Sequence, residues 1–423
     1  MIGMQAAFHA EKRHAFYDAM LPESVLLLFS GEEVRKTNDE YYPFFADRNF
    51  VYLTGLDCKE AVLLALKDAN GTVTERLYIL PPDPMAERWT GRRVKPEEAT
   101  RLSGIADIRT GDFHADVHTL LSGGHYATTP SHFAHLYLDL FRQSPADRDR
   151  PAQHFLRLAQ TEYPFLHTED ASAILRTLRL IKTPEEIDAI RRAEEITKSG
   201  IESMMRASHP GMWEYEYKAV FDYALGQFGP QGPGFPSIIS AGQNNFCIHY
   251  YSYTGQARDG DMVLADVGGL WDNHTADVSR GFPCNGRFTP RQRLLFDCML
   301  KTSDHMFSII RPGMKMADVD ATIRRYNAEL LREAGVLDDV RDIGTYMWHG
   351  GAHHIGYDVH DVVARPDVIA PGMVFCVDIG VYHEAWGIGF RLEDNCLVTE
   401  DGCENLSAAI PRTPDAIEAL MNE

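Results

Sequence analysis

The sequence predicts an α+β protein in two parts, a smaller α/β domain followed by a larger α+β domain. Its 423 residues exceed the usual size of one domain. Short apolar runs alternate with helix-like stretches in the first part of the chain. In the second part, a plan of two helices and an acidic strand occurs twice. We expect the two domains to span residues 1–166 and 170–423.

Apolar runs of strand length mark the first domain. One amphipathic stretch, VKPEEATRLSGI (94–105), has the residue spacing of a helix. The alternation of such patterns is typical of an α/β unit. The expected strands are SVLLLF (24–29), NFVYLTGL (49–56), AVLLALK (61–67), RLYIL (76–80) and HLYLDLF (135–141).

The second domain opens with a strong helix signal. Thr183 can cap a helix that begins at Pro184, and Glu186 completes a capping box. This helix ends at HPGM (209–212), and the segment EYEYKAVFDYALGQF (214–228) has the pattern of a second helix.

The same plan recurs further along the chain. Thr289 and Pro290 open a helix, RPGM (311–314) closes it, and another helix follows. A strand with one aspartate lies downstream of each helix pair, MVLADVG (262–268) and MVFCVDIG (373–380). We predict an internal duplication that brings two acidic hairpins onto one cavity.

Composition and charge argue against several classes of protein. Hydrophobic residues make up 44% and charged residues 24%, and no apolar run approaches the ~20 residues needed to cross a bilayer. The net charge of −20 argues against nucleic acid or membrane as a partner. The N-terminal segment does not have the pattern of a secretory signal, and the seven cysteines include no CxxC pair. We therefore expect a cytoplasmic protein with reduced thiols.

Five candidate metal ligands lie in the last part of the chain. Carboxylates are disfavoured in apolar strands unless their charge is compensated. The alternative, that each acid lies on the outer face of an amphipathic strand, stays open for any single residue. Four acids and one imidazole form the donor set of a two-metal hydrolytic site. The candidates are Asp266, Asp277, His353, Asp378 and Glu393.

Other polar residues flank these candidates. His249, His349, His354 and His360 are candidates for donating protons or hydrogen bonds to developing charge, although a structural role is equally compatible with the pattern. Arg391 lies two residues before Glu393, and on a strand the two would share a face. Such an arginine can orient a metal-binding acid.

The donor set predicts a hydrolytic mechanism. Two divalent ions about 3.5 Å apart can share a water, lower its pKa and generate a bridging hydroxide that attacks a polarised carbonyl. No GxSxG, HExxH or glycine-rich phosphate motif competes with this interpretation.

Three segments resemble the pita-bread metallopeptidases, the creatinase/aminopeptidase-like group that includes aminopeptidase P, prolidase and methionine aminopeptidase. These segments are residues 249–289, HGGAHHIGYDVHD (349–361) and residues 387–407. The likeness extends more loosely to RNFVYLTG (48–55) and RWTGRRV (88–94). Because the chain has two domains, it is most similar to the aminopeptidase P and prolidase branch. The resemblance implies a pita-bread catalytic domain and a smaller N-terminal domain of the aminopeptidase P type.

The resemblance also implies an activity and a cofactor. It implies that the five candidates bind two divalent metals, usually manganese with zinc, cobalt or iron as alternatives, and that Asp277 and Glu393 bridge them. It implies cleavage of the residue that precedes a proline at the second position of a peptide. His249, His349 and His360 would then act near the substrate. Members of the family are commonly homodimers or tetramers.

One position departs from the family pattern. Asp378 and Ile379 stand where the family usually has a glutamate, which contributes to proton transfer and metal binding, and a proline. Aspartate is shorter by one C–C bond, about 1.5 Å. Two alternatives to an aminopeptidase therefore stay open: a Xaa-Pro dipeptidase (prolidase), or a catalytically weakened relative that binds peptides. A metal-free hydrolase of the creatinase type is disfavoured because the acidic donors are present.

Overall fold

The computed structural model describes residues 4–122 and 132–423. The chain divides into two compact units, Met1–Leu178 and Arg179–Glu423. Within the described residues, no helix has both the length and the apolar character needed to span a membrane.

The first unit is built around a mixed β-sheet. Its strand order is β4-β3-β2-β1-β5-β6, with β1 antiparallel to β2 and parallel to β5. The strands are β1 (Ser24–Phe29), β2 (Val62–Lys67), β3 (Val73–Tyr78), β4 (Ile108–Arg109), β5 (His135–Leu138) and β6 (His167–Asp170). The helices are α1 (Ala6–Ala19), α2 (Arg48–Thr54), α3 (Pro84–Thr90), α4 (Pro96–Ser103), α5 (Phe113–Leu121), α6 (Pro151–Glu162) and α7 (Ser172–Leu180), whose last residues lie in the second unit.

Sequence patterns identified most of these strands correctly, but the prediction for residues 49–56 was wrong. This segment is helix α2. The Asp47 carboxylate accepts hydrogen bonds from the backbone N–H groups of Asn49 and Phe50, which caps the helix start. Gly55 ends the helix in the left-handed conformation, at φ 70°. The short apolar run is buried on nearly all sides, so its composition resembles that of a strand.

The second unit contains two helix pairs, and each pair is followed by an antiparallel hairpin. Its helices are α8 (Pro184–Ala207), α9 (Glu214–Gly226), α10 (Pro290–Ile309), α11 (Met316–Glu333) and α12 (Pro414–Met421). Its strands are β7 (Ile238–Ala241), β8 (Met262–Val267), β9 (Leu270–Trp271), β10 (His274–Thr275), β11 (Val278–Pro283), β12 (Val374–His383), β13 (Ile388–Val398) and β14 (Cys403–Asn405). Short 3₁₀ helices occur at Gly242–Phe246, Val340–Thr345 and Glu384–Trp386.

Helix caps and hairpins agree with the predicted duplication. Thr183 and Thr289 both form capping boxes, and each is followed by a proline at the first helical position. In one half, β8 lies between β7 and β11; in the other, β13 lies between β12 and β14. The core of the unit forms where the helices cover these sheets, and Phe296 of α10 stacks on Phe390 of β13 with ring centroids 5.6 Å apart.

A buried ion cluster ties the start of the second unit to the loop before β12. The Asp361 carboxylate accepts hydrogen bonds from Lys182 Nζ at 2.7 Å and from the Arg179 guanidinium. The side chains of Lys182 and Asp361 are each 1% exposed, and that of Arg179 is 2% exposed. Asp358 also accepts from Arg179, at 2.6 Å, but its side chain is 34% exposed. Because buried charges require partners, Asp361 stabilises this part of the fold far more than Asp358 does.

We predict that Asp361→Asn lowers the free energy of unfolding by about 3–5 kcal/mol, because it leaves a buried ammonium without its carboxylate. The matched control, Asp358→Asn, removes a carboxylate from the same guanidinium and should cost at most about 1 kcal/mol. Urea unfolding followed by circular dichroism measures both. Equal losses in the two variants would contradict this account.

The same cluster predicts an acid dependence of stability. Burial alone would raise the pKa of Asp361, but Arg179 and Lys182 outweigh it and hold this pKa well below the ordinary value. The stabilisation is therefore complete above the unfolded-state pKa of about 4 and is lost as pH falls through the lower folded-state pKa. The difference in unfolding free energy between wild type and Asp361→Asn should shrink between about pH 5 and about pH 2. A difference independent of pH would contradict the prediction.

Candidate metal centre

Two antiparallel hairpins carry the acidic residues. In the first hairpin, Asp266 on β8 pairs with Ser279 on β11. Asp277 lies directly before β11, two residues before Ser279. In the second hairpin, Asp378 on β12 pairs directly with Glu393 on β13, which puts these two acids on a common face.

Side-chain hydrogen bonds join the two hairpins at these faces. Ser279 Oγ donates to Glu393 Oε2 at 2.9 Å, and Arg280 Nη1 donates to the Glu393 backbone oxygen at 2.8 Å. The Asn395 side chain accepts from the Asp277 N–H at 2.9 Å and donates to the Asp277 carbonyl at 2.7 Å. The backbones that carry Asp277 and Glu393 are therefore fixed relative to each other.

Potential metal donors converge in two groups of three. Asp266, Asp277 and Glu393 offer carboxylate oxygens that lie within 4.8 Å of one another. His353, Cys376 and Glu393 form a second group within the same limit. Glu393 thus belongs to both groups. His353 Nε2 also lies 3.4 Å from Asp277 Oδ2 and 3.7 Å from Glu393 Oε1, so the two groups are contiguous.

Unpaired carboxylate oxygens indicate that cations fit this site. Four acids are 2–9% exposed, and each has one oxygen without a hydrogen-bond partner among residues 4–122 and 132–423: Asp266, Asp277, Asp378 and Glu393. A buried carboxylate without compensation is costly, and coordination to a cation removes that cost. Oxygen donors with one imidazole suit divalent ions such as Mn²⁺ or Zn²⁺.

Crowding of the acids changes their pKa values. Burial raises the pKa of Asp277 well above its ordinary value, and the carboxylates of Glu393 and Asp266 raise it further. Burial likewise raises the pKa of Glu393, with Asp378 and Asp266 adding to the effect. A bound cation favours the ionised form and would reverse both shifts. The electrostatics of the cluster therefore favour added positive charge.

Arg391 supplies part of that charge from the side. It is 2% exposed, and its Nη2 donates to Asp266 Oδ2 at 2.7 Å. Its Nη1 donates to the Tyr382 hydroxyl at 2.9 Å. These contacts hold the Asp266 carboxylate in one orientation and leave its other oxygen directed at the cluster.

Several histidines lie beside the acids. His349 Nδ1 lies 3.0 Å from Asp378 Oδ2; burial opposes protonation, but the Asp378 charge outweighs it and raises the pKa of His349. The rings of His353 and His360 are 4.2 Å apart. Burial lowers the pKa of His353 to about 4, and His360 contributes to the shift. The pKa of His360 is lowered mainly by burial and further by the charge of His249, whose own side chain is exposed.

Comparison with known sequences identifies the family. The sequence profile of metallopeptidase family M24 matches residues 188–400, and that of the aminopeptidase P N-terminal domain matches residues 9–126. The chain belongs to metallopeptidase family M24. The predicted family and the predicted pita-bread fold class are confirmed.

Relatives of this M24 protein match it over nearly its whole length. It is 31% identical to the Xaa-Pro aminopeptidase of Escherichia coli (strain K12), over 97% of this chain and 96% of the relative. It is 30% identical to the Xaa-Pro aminopeptidase of Haemophilus influenzae, with the same coverage. The solved structure of aminopeptidase P from E. coli with the inhibitor Pro-Leu has a TM-score of 0.88 and 29% identity, and the match covers 99% of each chain. The predicted enzyme class, a metal-dependent exopeptidase, is confirmed, and the M24 family implies divalent metal ions.

The structure also identifies two residues that sequence reasoning missed in this M24 protein. Cys376 lies opposite Asn395 in the β12–β13 pair, on the same face as Asp378 and Glu393. Asn395 holds the Asp277 backbone, and Cys376 belongs to one of the donor groups. Each lies two residues from a predicted ligand, so strand alternation could have identified both. The geometry further places Asp378 outside both three-donor groups found among the described residues.

We predict that Asn395→Ala lowers Mn²⁺ affinity about 10–100-fold, because partners that orient ligands typically contribute that much. Asn395 is 0% exposed and holds both backbone groups of Asp277, yet it offers no atom to either donor group. Isothermal titration calorimetry on the metal-free protein measures the affinity.

The matched control for this prediction is Asn405→Ala. The Asn405 amide donates to Asp394 Oδ2 at 3.0 Å, and its oxygen accepts from the Ser407 N–H, so among the described residues its side chain has no hydrogen bond to a candidate ligand. It should bind Mn²⁺ nearly as wild type does. Wild-type affinity in Asn395→Ala would show that Asp277 keeps its position without the amide.

Proposed function

We propose that this protein removes the N-terminal residue from peptides with proline at the second position, as a metal-dependent aminopeptidase. The observation that carries the proposal is the convergence of buried, unpaired carboxylate oxygens from two hairpins beside one imidazole. Relatives at about 30% identity over nearly the whole chain carry the name Xaa-Pro aminopeptidase. The fold alone would not support the assignment of a substrate, but the donor set and the names of the relatives both favour a metal-dependent peptidase.

Of the five residues predicted from sequence, Asp266, Asp277, His353 and Glu393 are proposed to hold the cations directly, and Asp378 is proposed to lie beside them in its pair with His349. Two divalent cations bound there would supply the Lewis acidity that activates water and polarises the scissile carbonyl. Glu393 belongs to both donor groups, which supports a bridging position for it. Asp277 lies in one group and 3.4 Å from the imidazole of the other, which supports the same role.

The surrounding side chains are proposed to bind substrate and move protons. His349 and Asp378 form a close pair, and His349 Nε2 has no hydrogen-bond partner among the described residues. This pair can hold a proton at Nε2 and give it to the leaving amine. His360 and the exposed His249 are proposed to contact the substrate from the open side of the site. Arg391 acts through Asp266 by fixing its carboxylate.

The two alternatives are less well supported. The names of the relatives favour an aminopeptidase over a dipeptidase. A weakened peptide-binding relative is disfavoured because the acidic donors and His353 remain close together, with buried carboxylate oxygens that have no hydrogen-bond partner among the described residues. Manganese as the preferred cation, a homodimer or tetramer, and a cytoplasmic location stay predictions, as do the domain limits 1–166 and 170–423.

Peptide hydrolysis tests the proposal directly. The metal-loaded protein should release the first residue from a Xaa-Pro-Xaa peptide and act far more slowly on the matched Xaa-Ala-Xaa peptide. It should also prefer the longer peptide to a Xaa-Pro dipeptide. Asp277→Asn should lower kcat/KM by more than about 100-fold, because even residues that only orient ligands contribute 10–100-fold. Amino-acid release measured by chromatography gives the rates.

Two results would contradict the proposal. Absence of hydrolysis of every Xaa-Pro peptide, with two equivalents of metal bound, would favour a peptide-binding protein. Near-wild-type turnover in Asp277→Asn would remove Asp277 from the metal centre. A clear preference for the Xaa-Pro dipeptide over the longer peptide would instead indicate a prolidase.

A further inference from the structure

The second donor group contains a thiol where the sequence predicted a carboxylate. Among the described residues, Cys376, and not Asp378, groups with His353 and Glu393 within 4.8 Å. Asp378 instead directs one oxygen to His349, at 3.0 Å. The two side chains lie two residues apart on β12 and face the same way. Asp378 and Cys376 therefore lie on the same side of the candidate metal centre.

The position of Cys376 is fixed by the backbone around it. The His353 N–H donates to Cys376 Sγ at 3.3 Å, and the Cys376 N–H donates to the His353 carbonyl at 2.9 Å. Cys376 is fully buried and pairs across the sheet with Asn395. Residue 353 and residue 376 are thus linked twice, so the imidazole and the sulfur approach the centre together.

The donor types also suit one cation. Cysteine sulfur binds Zn²⁺ at about 2.3 Å and imidazole nitrogen at about 2.0–2.1 Å, so two such donors on one ion lie roughly 3–4 Å apart. The 4.8 Å limit of the group is compatible with that spacing after small side-chain rotations. A sulfur, a nitrogen and a carboxylate oxygen are all zinc donors, and three protein donors with one position left for water are the usual arrangement of a catalytic zinc site.

We propose that Cys376 is a ligand of the cation held by His353 and Glu393, taking the place that the shorter Asp378 does not reach. This inference rests on the proposed two-cation centre. On coordination, the sulfur gives its proton to solvent and binds as thiolate. Asp378 then stays paired with His349. A thiolate favours Zn²⁺ or Co²⁺ over Mn²⁺ at this position, whereas the group formed by Asp266, Asp277 and Glu393 keeps hard oxygen donors.

The competing explanation is that Cys376 only fills space, since buried free cysteines often behave as small apolar residues. The remaining buried cysteines provide the comparison. Cys284, Cys298 and Cys396 are buried as well, but none of them belongs to a three-donor group among the residues that the structure describes. Cys396 is the best control because it lies on β13, in the same sheet as Cys376.

Cobalt spectroscopy tests this assignment. Metal-free full-length protein is titrated with Co²⁺, and absorption is recorded in the near-ultraviolet region where thiolate-to-cobalt charge transfer occurs. The wild type and Cys396→Ser should develop this band as Co²⁺ binds. Cys376→Ser should bind Co²⁺ without the band and should bind Zn²⁺ at least about 10-fold more weakly than the wild type. Atomic absorption gives the number of metals bound in each protein.

The outcomes separate this inference from the proposed function. If the wild type binds Co²⁺ and hydrolyses Xaa-Pro peptides but shows no charge-transfer band, Cys376 is not a ligand and the metallopeptidase function stands. An equally strong band in Cys376→Ser also overturns the assignment. If the wild type binds no Co²⁺, both the metal centre and the thiolate ligand fail.

A measurement on the wild type alone covers the case in which Cys376→Ser does not fold. X-ray absorption of the protein loaded with one equivalent of Zn²⁺ should show sulfur scattering at about 2.3 Å from the metal. Scattering from nitrogen and oxygen alone would overturn the assignment. Cys376→Ala provides a second variant of smaller volume for the cobalt titration.

Discussion

Repulsion among carboxylates at the meeting point of two hairpins is the constraint on which the second unit depends. Asp266, Asp277, Asp378 and Glu393 are almost completely removed from water, and Arg391 contacts only the first of them with a short ion pair. Burial and mutual repulsion raise the pKa values of Asp277 and Glu393, so ionising the whole set without added positive charge is unfavourable. Divalent cations held by these residues would remove this cost and would supply the chemistry of a hydrolytic centre.

The scaffold beneath the site is rigid for a physical reason. Arg280 and Asp394 are both 0% exposed and are joined at 2.6 Å, and Arg412 donates to the second Asp394 oxygen at 3.0 Å. The same Arg280 holds the Glu393 carbonyl, which couples this ion cluster to the acid that both donor groups share. These contacts hold β13, and β12, which carries Asp378, pairs with β13 along its whole length, so β12 cannot easily move inward to compensate for the shorter side chain. Asp378 is paired with His349, and Cys376 is the β12 side chain that groups with His353 and Glu393.

Local patterns predicted much of the fold because the relevant interactions are short in range. The capping boxes of Thr183 and Thr289 involve residues three apart, and the apolar run of β1 is flanked by polar residues on both sides. The failure at residues 49–56 has an equally clear cause. Helix α2 is buried nearly all round, so no amphipathic period distinguishes it from a strand, and the signal that decides it is the Asp47 cap.

The sequence by itself determined which chemical groups are available: four acids in apolar strands, one histidine in a loop, and an arginine on the same face as Glu393. Alternation along a strand also determined which of these groups can share a face. Only the tertiary structure decided which groups meet, because that depends on strand register and on contacts between hairpins far apart in the chain. Asn395 reaches the backbone of Asp277 across 118 positions, and Cys376 joins His353 across 23. No local sequence pattern encodes contacts between residues so far apart in the chain, since these contacts arise from the register and packing of strands within the second unit.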